Sequence, residues 1–597
     1  MAAPVEVASS AESPDEKATF AYRMRHSTAH VMAQAVQRLF PGTRFGIGPA
    51  IEDGFYYDFD SPHQFSTDDF PNIEAEMRRI VEADYPFTRT VVSRAIARHF
   101  FQETGQTYKV DLIDRLPDDE LITFYTDGDF IDLCAGPHVP STGQIKAFKL
   151  RSVAGAYWHG DEHNPQLQRV YGVAFESQEE IDAYFWRLEE ARKRDHRRLG
   201  QELDLFTFSE LVGAGLPMFT PRGTLIRRLL EEWVQSLQEP LGFQRVTIPH
   251  ITKSDLYKVS GHWDKFKEDL FHVSGKSGED FAIKPMNCPH HTQIYASRQR
   301  SYRDLPIRYS EVTSVYRDEL PGTLQGLSRV RFITQDDGHV FCRYDQIMDE
   351  ALRIYSIVES FYKPFGMPLA IRLSLWDEAN PDKYLGNAET WNTSQEQLRN
   401  VLRSTGAVWV EQAGEAAFYG PKIDFDATDA LGRVWQLATI QLDFSLPERF
   451  DLTYTSPEGT AARPAMLHRA ILGSVERFMS IVIEHFAGAF PLWLAPVQTV
   501  LIPIADRHNT YAERVAAELR VDGIRVEIDA RREGMRAKIR DAQLQKVPYM
   551  LVVGDKEEQQ SRVAVRLRTG QDLGPKPVAE FVAQATRLIA SKSLELW

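Results

Sequence analysis

Three cysteine and histidine side chains lie in segments that are far apart in the chain. Cys288 lies in KPMNCPHH, His339 in SRVRFITQDDGHVFC and His468 in RPAMLHRAILGSVERF. One thiolate and two imidazoles suit Zn²⁺ and leave a fourth coordination position open, as in catalytic zinc sites. Spacing alone leaves a second interpretation open, in which these are unrelated core residues.

A second set of such residues lies near the start of the chain. The segment HSTAH places His26 and His30 four residues apart, on one face of a helix. The segment DLCAGPH adds Asp132, Cys134 and His138 around a Gly-Pro turn. Two interpretations fit this set: a tetrahedral metal site, or a partly buried polar cluster.

The strand that must position His339 can be predicted from its periodicity. Over residues 328–342, alternate positions form a polar face and an apolar face, which indicates a strand whose polar side lies against water or a ligand. The polar face holds Arg329, Arg331, Gln335, Asp337 and His339, and the apolar face holds Val330, Phe332, Val340 and Cys342.

The segment 463–488 predicts a strand followed by a helix. In one continuous helix, His468 and Arg477 would point in opposite directions. A strand that ends at Leu472 and a helix that begins near Gly473 remove this conflict. His468, Ser474 and Arg477 can then face one cavity.

Composition predicts a cytoplasmic, multi-domain protein. The 597 residues suggest about four folding units, and three cysteines cannot form a disulfide framework. No apolar run approaches the roughly 20 residues of a membrane-spanning helix, so we expect no membrane association. Residues 1–20 lack the features of a signal or transit peptide and predict a disordered tail.

Four folded segments are predicted after the tail. Residues 21–175 alternate short apolar runs with turn signals, which predicts an α+β domain. Residues 176–200 predict a linker helix that ends at Gly200. Residues 201–495 form a long stretch of strands and amphipathic helices. Residues 496–597 alternate strands and helices, which predicts a mostly parallel sheet. This last segment is basic, although the whole chain carries a net charge of −15. A basic region suits a nucleic-acid partner, and a solvated basic surface fits the charge equally well.

Together these segments resemble the signature motifs of class II aminoacyl-tRNA synthetases, and specifically the threonyl-tRNA synthetases. GFQRVTIPHI with Pro249 is similar to the first motif, at the dimer interface, and residues 309–339 and 467–478 are similar to the second and third. MNCP, FYGPKIDF and HRAILGSVER add family-specific matches. The resemblance implies an antiparallel catalytic sheet with flanking helices, an amino-terminal α+β editing domain, a carboxy-terminal α/β anticodon-binding domain and a homodimer.

The resemblance also implies which residues bind substrates. It assigns one Zn²⁺ to Cys288, His339 and His468, where it would bind the amino and hydroxyl groups of threonine, with Asp337 accepting the hydroxyl proton. Gln335, Tyr419 and Gln441 complete the amino-acid pocket. The resemblance implies that ATP, with Mg²⁺ as counter-ion, is bound by residues suited to charge stabilisation. These are Arg317, Glu319, Arg329, Gln436, Ser474 and Arg477. The implied reaction forms threonyl-adenylate and then threonyl-tRNA.

A second, hydrolytic site is expected because serine differs from threonine by one methyl group. Such a difference is worth roughly 10–200-fold in selectivity, too little for translation. The resemblance places this editing site at His26, His30, Lys109, Asp132, Cys134 and His138, and we predict that it hydrolyses seryl-tRNA without a bound metal. It assigns anticodon contacts to Arg540, Glu557 and Arg566.

Several positions depart from the family pattern. No counterpart of the usual amino-terminal ubiquitin-like domain is found, His290 replaces a glycine, and Ile333 replaces an aromatic residue that stacks on adenine. Ala135 replaces an arginine in the editing segment. These departures leave two alternatives: a synthetase paralogue that has drifted to another role, or a tRNA-binding or regulatory protein without turnover.

Overall fold

The computed structural model describes residues 19–265, 267–276 and 278–597. The predicted tail therefore lies, except for its last two residues, outside the described part of the chain. Two compact units divide the protein, unit 1 up to Glu189 and unit 2 from Glu190. None of the described helices is long and apolar enough to cross a bilayer.

Unit 1 is built on antiparallel strands packed against one buried helix. Its helices are α1 (Phe20–Leu39), α2 (Phe70–Glu82), α3 (Arg94–Glu103) and α4 (Thr107–Arg115). Its strands are β1 (Arg44–Phe45), β2 (Ala50–Ile51), β3 (Gly54–Asp60), β4 (Thr88–Val91), β5 (Thr123–Asp127), β6 (Phe130–Leu133), β7 (Ala147–Tyr157) and β8 (Gln166–Phe175). One sheet has the order β1-β3-β8-β7, with β2 on β3, and a second has the order β4-β5-β6. Helix α1 begins at the Thr19 cap and packs its buried face into the core of this unit.

The predicted linker is two helices rather than one. Helix α5 (Gln178–Arg194) ends before Asp195, and α6 (His196–Glu202) follows it. The prediction that Gly200 stops the helix was wrong, because Gly200 lies inside α6. The break occurs at Asp195, whose side chain accepts a hydrogen bond from the Arg197 backbone N–H and thereby caps α6.

The large sheet of unit 2 is antiparallel at its centre. Its strands run in the order β11-β15-β16-β23-β20-β19-β17-β18, and only the outermost pairs on each side are parallel. The strands are β11 (Gln244–Arg245), β15 (Ile307–Tyr316), β16 (Phe332–Cys342), β17 (Leu369–Leu375), β18 (Trp409–Ala413), β19 (Lys422–Thr428), β20 (Val434–Asp443) and β23 (Ala465–Ser474). Around it lie α7 (Pro221–Gln238), α8 (Ser254–Ser260), α9 (His262–Lys265), α10 (Cys288–Ala296), α11 (Ile347–Tyr362), α12 (Ala388–Thr405), α13 (Ser445–Arg449) and α14 (Val475–His485). Short strands complete this part, namely β9 (Phe206–Thr207), β10 (Met218–Phe219), β12 (Ile251–Lys253), β13 (His272–Ser274), β14 (Asp280–Ile283), β21 (Tyr454–Thr455) and β22 (Ala461–Ala462).

Two boundaries at the predicted site differ from expectation. Strand β16 begins only at Phe332, so Arg329 and Arg331 lie in the loop before it and not on its polar face. Strand β23 continues through Gly473 to Ser474, past the predicted end at Leu472. Its pairing with β16 is interrupted by a bulge there, and Gly473 adopts a positive φ of 71° that glycine tolerates without strain. The Ser474 hydroxyl then caps α14 by accepting from the Arg477 N–H.

A fully buried ion pair fixes the register of the two central strands. Arg469 on β23 donates to Asp336 on β16 at 2.6 Å and to Gln238 of α7 at 2.5 Å. Gly338 leaves room for this guanidinium, since a Cβ there would lie 2.5 Å from Arg469 Nε. Side chains alternate along strands. Arg469 and Asp336 therefore lie on one face of the sheet, and His339 and His468 lie on the other.

The last sheet of unit 2 is mixed. Its order is β25-β24-β26-β27-β28, and the prediction of a mostly parallel sheet holds only for β24, β25 and β26, because β27 and β28 pair antiparallel. The strands are β24 (Thr499–Pro503), β25 (Val526–Ile528), β26 (Tyr549–Val553), β27 (Arg562–Leu567) and β28 (Asp572–Pro577), and the helices are α15 (Asn509–Val521), α16 (Met535–Leu544), α17 (Asp555–Gln560) and α18 (Val578–Ala590). The short α17 allows β27 to return beside β26 without a parallel crossover.

Candidate active sites

The three candidate zinc ligands of unit 2 come together. Cys288 begins α10, His339 lies on β16, and His468 is its direct partner across the ladder on β23. One ligand atom from each side chain lies within 4.8 Å of the others, and all three residues are buried. His339 Nε2 and His468 Nδ1 are 3.1 Å apart. We call these three residues the central cluster.

Side chains behind the central cluster orient its rings. The Asp443 Oδ2 atom lies 2.8 Å from His468 Nε2, and His291 Nδ1 lies 2.7 Å from His339 Nδ1. Since a carboxylate only accepts, His468 Nε2 carries the proton and its Nδ1 lone pair faces His339. Burial lowers the pKa of His339, so its ring stays neutral, as a metal ligand must be. The donor set and its orientation therefore fit Zn²⁺.

The predicted amino-acid pocket lies around the same strands. Asp337 accepts a hydrogen bond from Asn287 Nδ2 at 2.9 Å, and burial raises its pKa. The Tyr419 ring centroid is 5.1 Å from that of His468, and Gln441 on β20 pairs directly with His468. Gln335 has a buried Oε1 without a hydrogen-bond partner among the described residues. These residues thus present polar atoms to the central cluster.

The predicted ATP-binding residues lie on the loop of residues 317–331, on β20 and at the start of α14. In the 317–331 loop, Arg329 pairs with Glu319 at 2.7 Å, and burial lowers the pKa of Arg317. The Arg477 guanidinium lies over the Trp435 ring, 5.7 Å from its centroid, and desolvation lowers its pKa. Gln436 is exposed on β20, and Ser474 caps α14. Arg477 has no carboxylate partner among the described residues, so its desolvated guanidinium is available to an anionic ligand.

Ile333 and Phe332 lie on opposite faces of β16. Strand β16 pairs regularly with β15, which places Ile333 on the face of Gln335 and Asp337. Phe332 lies on the other face, where its ring centroid is 5.7 Å from that of Tyr316. The aromatic ring is therefore displaced from the pocket face by one residue.

The second set of residues forms a cluster inside unit 1, which we call the unit 1 cluster. His26 and His30 share one face of α1, and their ligand atoms lie within 4.8 Å of those of Cys134 and His138. The Cys134 Sγ atom is 3.4 Å from His26 Nε2 and 3.3 Å from His138 Nε2. Burial raises the pKa of Cys134 to about 12 and lowers the pKa of His30 and His138. Cys134 is thus a neutral thiol beside the neutral rings of His30 and His138.

A buried charge pair borders the unit 1 cluster. Lys109 Nζ lies 2.5 Å from Asp132 Oδ1, and His30 Nε2 lies 3.7 Å from Asp132 Oδ2. Tyr57 donates to Asp132 at 2.5 Å and accepts from Lys109 at 3.0 Å. No sequence pattern distinguished Tyr57, which stands in a strand of alternating aromatic residues. All six predicted editing residues therefore belong to one site, with Tyr57 as a seventh member.

The three predicted anticodon residues occupy separate elements of the last sheet. Arg540 on α16 is largely exposed, with its Nη2 3.5 Å from Asp541. The Glu557 side chain accepts from the Gly554 N–H at the start of α17, and Arg566 on β27 pairs with Asp572 at 2.6 Å. All three side chains thus already make local polar contacts.

Sequence reasoning missed several residues in or around the site of the central cluster. Asn287 and Asp443 stand beside predicted residues in MNCP and QLDF, but their spacing carries no signal of its own. His262 Nε2 lies 3.9 Å from Cys288 Sγ, and burial lowers its pKa to about 3. Lys284 is fully buried and donates to Thr313 on β15 at 2.9 Å, and burial lowers its pKa to about 8. Such contacts depend on strand register.

Known proteins match the chain in all three regions. Residues 271–486 match the tRNA synthetase class II core domain (G, H, P, S and T), and residues 498–588 match an anticodon binding domain. Residues 122–171 match the threonyl and alanyl tRNA synthetase second additional domain. In solved structures, the chain is similar to the RNA binding domain of threonyl-tRNA synthetase from Cryptosporidium parvum Iowa II, at 36% identity and a TM-score of 0.63, covering 67% of this chain and 99% of that one. It is also similar to the putative threonyl-tRNA synthetase ThrRS-1 of Aeropyrum pernix, at 28% identity and a TM-score of 0.58, covering 66% and 97%.

Whole-length relatives agree with these regional matches. The threonine–tRNA ligase of Symbiobacterium thermophilum is 50% identical over 571 residues, which cover 96% of this chain and 87% of that protein. The threonine–tRNA ligase of Acetivibrio thermocellus is 49% identical, covering 97% and 90%. The chain therefore belongs to the threonine–tRNA ligases, with a class II synthetase core, an anticodon-binding domain and a threonyl/alanyl second additional domain.

Proposed function

We propose that the central cluster selects L-threonine for ligation to tRNA(Thr), and that the unit 1 cluster hydrolyses seryl-tRNA(Thr). ATP, threonine and tRNA are the substrates of a threonine–tRNA ligase. The observation that carries the proposal is the convergence of Cys288, His339 and His468 within 4.8 Å inside the class II core. The two alternatives, a drifted paralogue and a non-catalytic tRNA-binding protein, receive no support from the comparisons.

Activation of threonine rests on charge stabilisation by arginines. Arg317 binds the α-phosphate of ATP, and Arg329 and Arg477 neutralise the rest of the triphosphate, with Mg²⁺ as counter-ion. Glu319 binds the adenine amino group, while Gln436 and Ser474 contact the nucleotide. The threonine carboxylate is itself the nucleophile, so the step needs fixed positive charge rather than a base. The desolvation of Arg317 and Arg477 supports this role, because it strengthens their attraction to phosphate.

Cys288, His339 and His468 hold one Zn²⁺ per chain, and the metal supplies a Lewis-acidic centre that prefers a side chain with a hydroxyl group. Asp443 and His291 hold the two rings in their ligand orientation. Asp337 accepts the proton of the threonine hydroxyl, while Gln335, Tyr419 and Gln441 bind the rest of the amino acid. Valine leaves these polar groups unpaired and is rejected strongly.

Serine satisfies the same groups, so the unit 1 cluster must remove it from tRNA. Asp132, held by Lys109 and Tyr57, lies beside the neutral ring of His30, and the histidine rings of the cluster position the attacking water. Lys109, 2.5 Å from Asp132, places a positive charge beside the cluster, which disfavours a bound cation there. We therefore retain hydrolysis without a bound metal as the proposal for this site.

The remaining assignments are also proposals. Residues 21–175 form the editing domain, residues 201–495 the catalytic domain and residues 496–597 the anticodon-binding domain. Arg540, Glu557 and Arg566 contact the anticodon, and exchange of Arg566 should act through the KM for tRNA. The segment around Pro249 forms a homodimer interface, in keeping with the commonest oligomer symmetry. The enzyme acts in the cytoplasm.

Amino-acid-dependent exchange of pyrophosphate into ATP tests the main proposal. We expect exchange with threonine, exchange with serine that is about 10–200-fold less efficient, and no measurable exchange with valine. A zinc chelator should abolish the reaction, and added zinc should restore it. Exchange that prefers another amino acid would contradict the assignment, and exchange insensitive to complete zinc removal would contradict the role of the metal.

A further inference from the structure

The 317–331 loop is held in place by its buried residue Leu327. The side chain of Leu327 is part of the main core of unit 2, with no exposed surface. Its backbone N–H donates to Nε2 of His196 at 3.0 Å. His196, the first residue of α6, is itself buried. A histidine outside the class II motifs thus supports the loop that carries Arg317, Glu319 and Arg329.

The contacts of His196 fix the protonation of its ring. A backbone N–H can only donate, so Nε2 is the unprotonated nitrogen. The proton therefore lies on Nδ1, which donates to Glu484 Oε1 at 2.6 Å. The backbone N–H of His196 donates to the same oxygen at 3.1 Å. Both ring nitrogens are thus used, one for the loop and one for α14, near whose end Glu484 lies.

The loop is shaped to admit this ring. Gly326 adopts a positive φ of 50°, and a Cβ there would lie 2.2 Å from His196 Nε2. Glycine is therefore required for the backbone to approach the imidazole so closely. A second hydrogen bond joins the loop to α14, between Ser328 Oγ and Ser480 Oγ at 3.0 Å.

Asp195, His196 and Glu484 are close enough together to hold a metal ion, but their lone pairs are occupied. Glu484 Oε2 pairs with Arg433 at 2.7 Å, and Asp195 pairs with Arg197. His196 Nε2 accepts from Leu327 and its Nδ1 carries a proton, so no ring nitrogen remains for a ligand. These side chains therefore hold the backbone of Leu327 and of His196 in place and do not bind a cation.

We propose that His196 is a positioning residue, which fixes the 317–331 loop relative to α14 and thereby sets Arg317 and Arg329 against Arg477 for ATP binding. The inference rests on the proposed role of these arginines. Loss of the Nε2 acceptor leaves a buried N–H without a partner and frees the loop. ATP binding then weakens, while the threonine pocket on β16, β20 and β23 keeps its geometry.

Two substitutions of His196 test the roles of its two ring nitrogens separately. His196→Asn keeps a donor near the Nδ1 position for Glu484 but has no acceptor for Leu327. His196→Gln places its Oε1 near the Nε2 position and can accept from Leu327. In pyrophosphate exchange, we expect Asn to raise the KM for ATP about tenfold with little change in the KM for threonine, and Gln to restore most of the loss. Asp195→Asn, which leaves the contact with Leu327 intact, is the matched control.

A second variant keeps the inference testable if His196→Asn does not fold. Gly326→Ala forces the loop away from an intact imidazole and should raise the KM for ATP in the same selective way. Hydrogen exchange at residues 326–328 should quicken in His196→Asn and Gly326→Ala, and remain slow in His196→Gln. Equal effects of Asn and Gln, or equal rises in both KM values, would overturn the positioning role. Absence of threonine-dependent exchange in the unmodified enzyme would instead overturn the proposed function.

Discussion

The central cluster and the unit 1 cluster use the same side-chain types in opposite electrostatic settings. Each gathers a buried or half-buried cysteine and at least two histidines within 4.8 Å. In unit 2, Asp443 bonds to His468, and within the described residues it pairs with no lysine or arginine. In unit 1, Asp132 near His30 is paired with Lys109 at 2.5 Å. One cluster therefore has an uncompensated carboxylate behind a ligand ring, and the other has none.

This difference decides which cluster suits a cation. A carboxylate behind a ring raises the basicity of the ligand nitrogen, and its negative charge favours metal binding. An ammonium beside the carboxylate cancels that advantage and places a positive charge where the metal's charge would be felt. Proximity of cysteine and histidine alone therefore does not identify a metal site. The charges around the nearest carboxylate distinguish a metal site from a metal-free cluster better than this proximity does.

The largest expected effect is the loss of the thiolate ligand. We expect Cys288→Ser to lose its zinc and to reduce threonine-dependent pyrophosphate exchange by about 100-fold or more, because a hydroxyl is a poor zinc ligand. Metal analysis and the exchange assay measure both effects. Cys342→Ala is the matched control, since Cys342 is buried in the main core on the opposite face of β16. Full zinc content in Cys288→Ser would refute the central cluster as the metal site.

The corresponding change in unit 1 should affect hydrolysis and leave the metal content unchanged. Asp132→Asn removes the charge that pairs with Lys109, and we expect hydrolysis of seryl-tRNA(Thr) to slow by about 100-fold. Pyrophosphate exchange with threonine should not change. Asp114→Asn, in an exposed pair with Arg98, is the control, because exposed pairs contribute little. A second zinc per chain, lost in Asp132→Asn, would show that the two clusters are alike.

A smaller effect is expected from the group behind the ligand. In Asp443→Asn, Oδ1 can still accept from Ser445 and Leu446 at the start of α13, but the amide NH₂ in place of Oδ2 cannot accept from His468 Nε2. The ring then loses its preferred tautomer, and we expect zinc affinity to fall about 10–100-fold. Competition with a chelator measures it. The counterpart in unit 1 is Ser27→Ala, which removes the contact with His138 Nδ1 and should leave zinc affinity unchanged.

Local pattern was sufficient to predict the elements of both sites, but not what surrounds them. The spacing of His26 and His30 predicts one face of α1, and the conflict between His468 and Arg477 predicts a strand followed by a helix; both are confirmed. Two boundaries, at Gly200 and at Gly473, differ from the prediction, because Asp195 and Ser474 cap the following helices through side-chain hydrogen bonds. Local hydrogen bonding decides such boundaries.

Contacts that depend on strand register could not be predicted from the sequence. Asp443 meets His468, and Arg469 meets Asp336 on the opposite face, only because β16, β23 and β20 pair in one register. A shift of one residue in a strand would send its side chains to the other face, and His339 would then no longer meet His291 of α10. The family resemblance supplied the ligands themselves, since three isolated Cys and His residues carry too little information to be paired by spacing.

The last prediction concerns a second acid near the unit 1 cluster. Asp127 is buried on β5, its carboxyl oxygens have no hydrogen-bond partner among the described residues, and burial, with repulsion from Asp132 and Asp129, raises its pKa to about 8. The folded protein therefore binds a proton here between about pH 4 and pH 8 that the unfolded chain has released. Stability from this group is complete below pH 4 and is lost as the pH rises to 8.

Asp127→Asn replaces the neutral acid with a group that cannot titrate. The free energy of unfolding of unit 1, measured from amide exchange in α1 and β5, should rise in the variant relative to wild type by about 1.4 kcal/mol for each pH unit between about pH 5 and pH 7. Asp114→Asn should show no such slope. A neutral Asp127 keeps negative charge near Asp132 low, which is the setting that separates this cluster from the central one. A pH-independent difference between Asp127→Asn and wild type would mean that Asp127 is ionised, and the contrast between the two clusters would then be smaller than their geometry indicates.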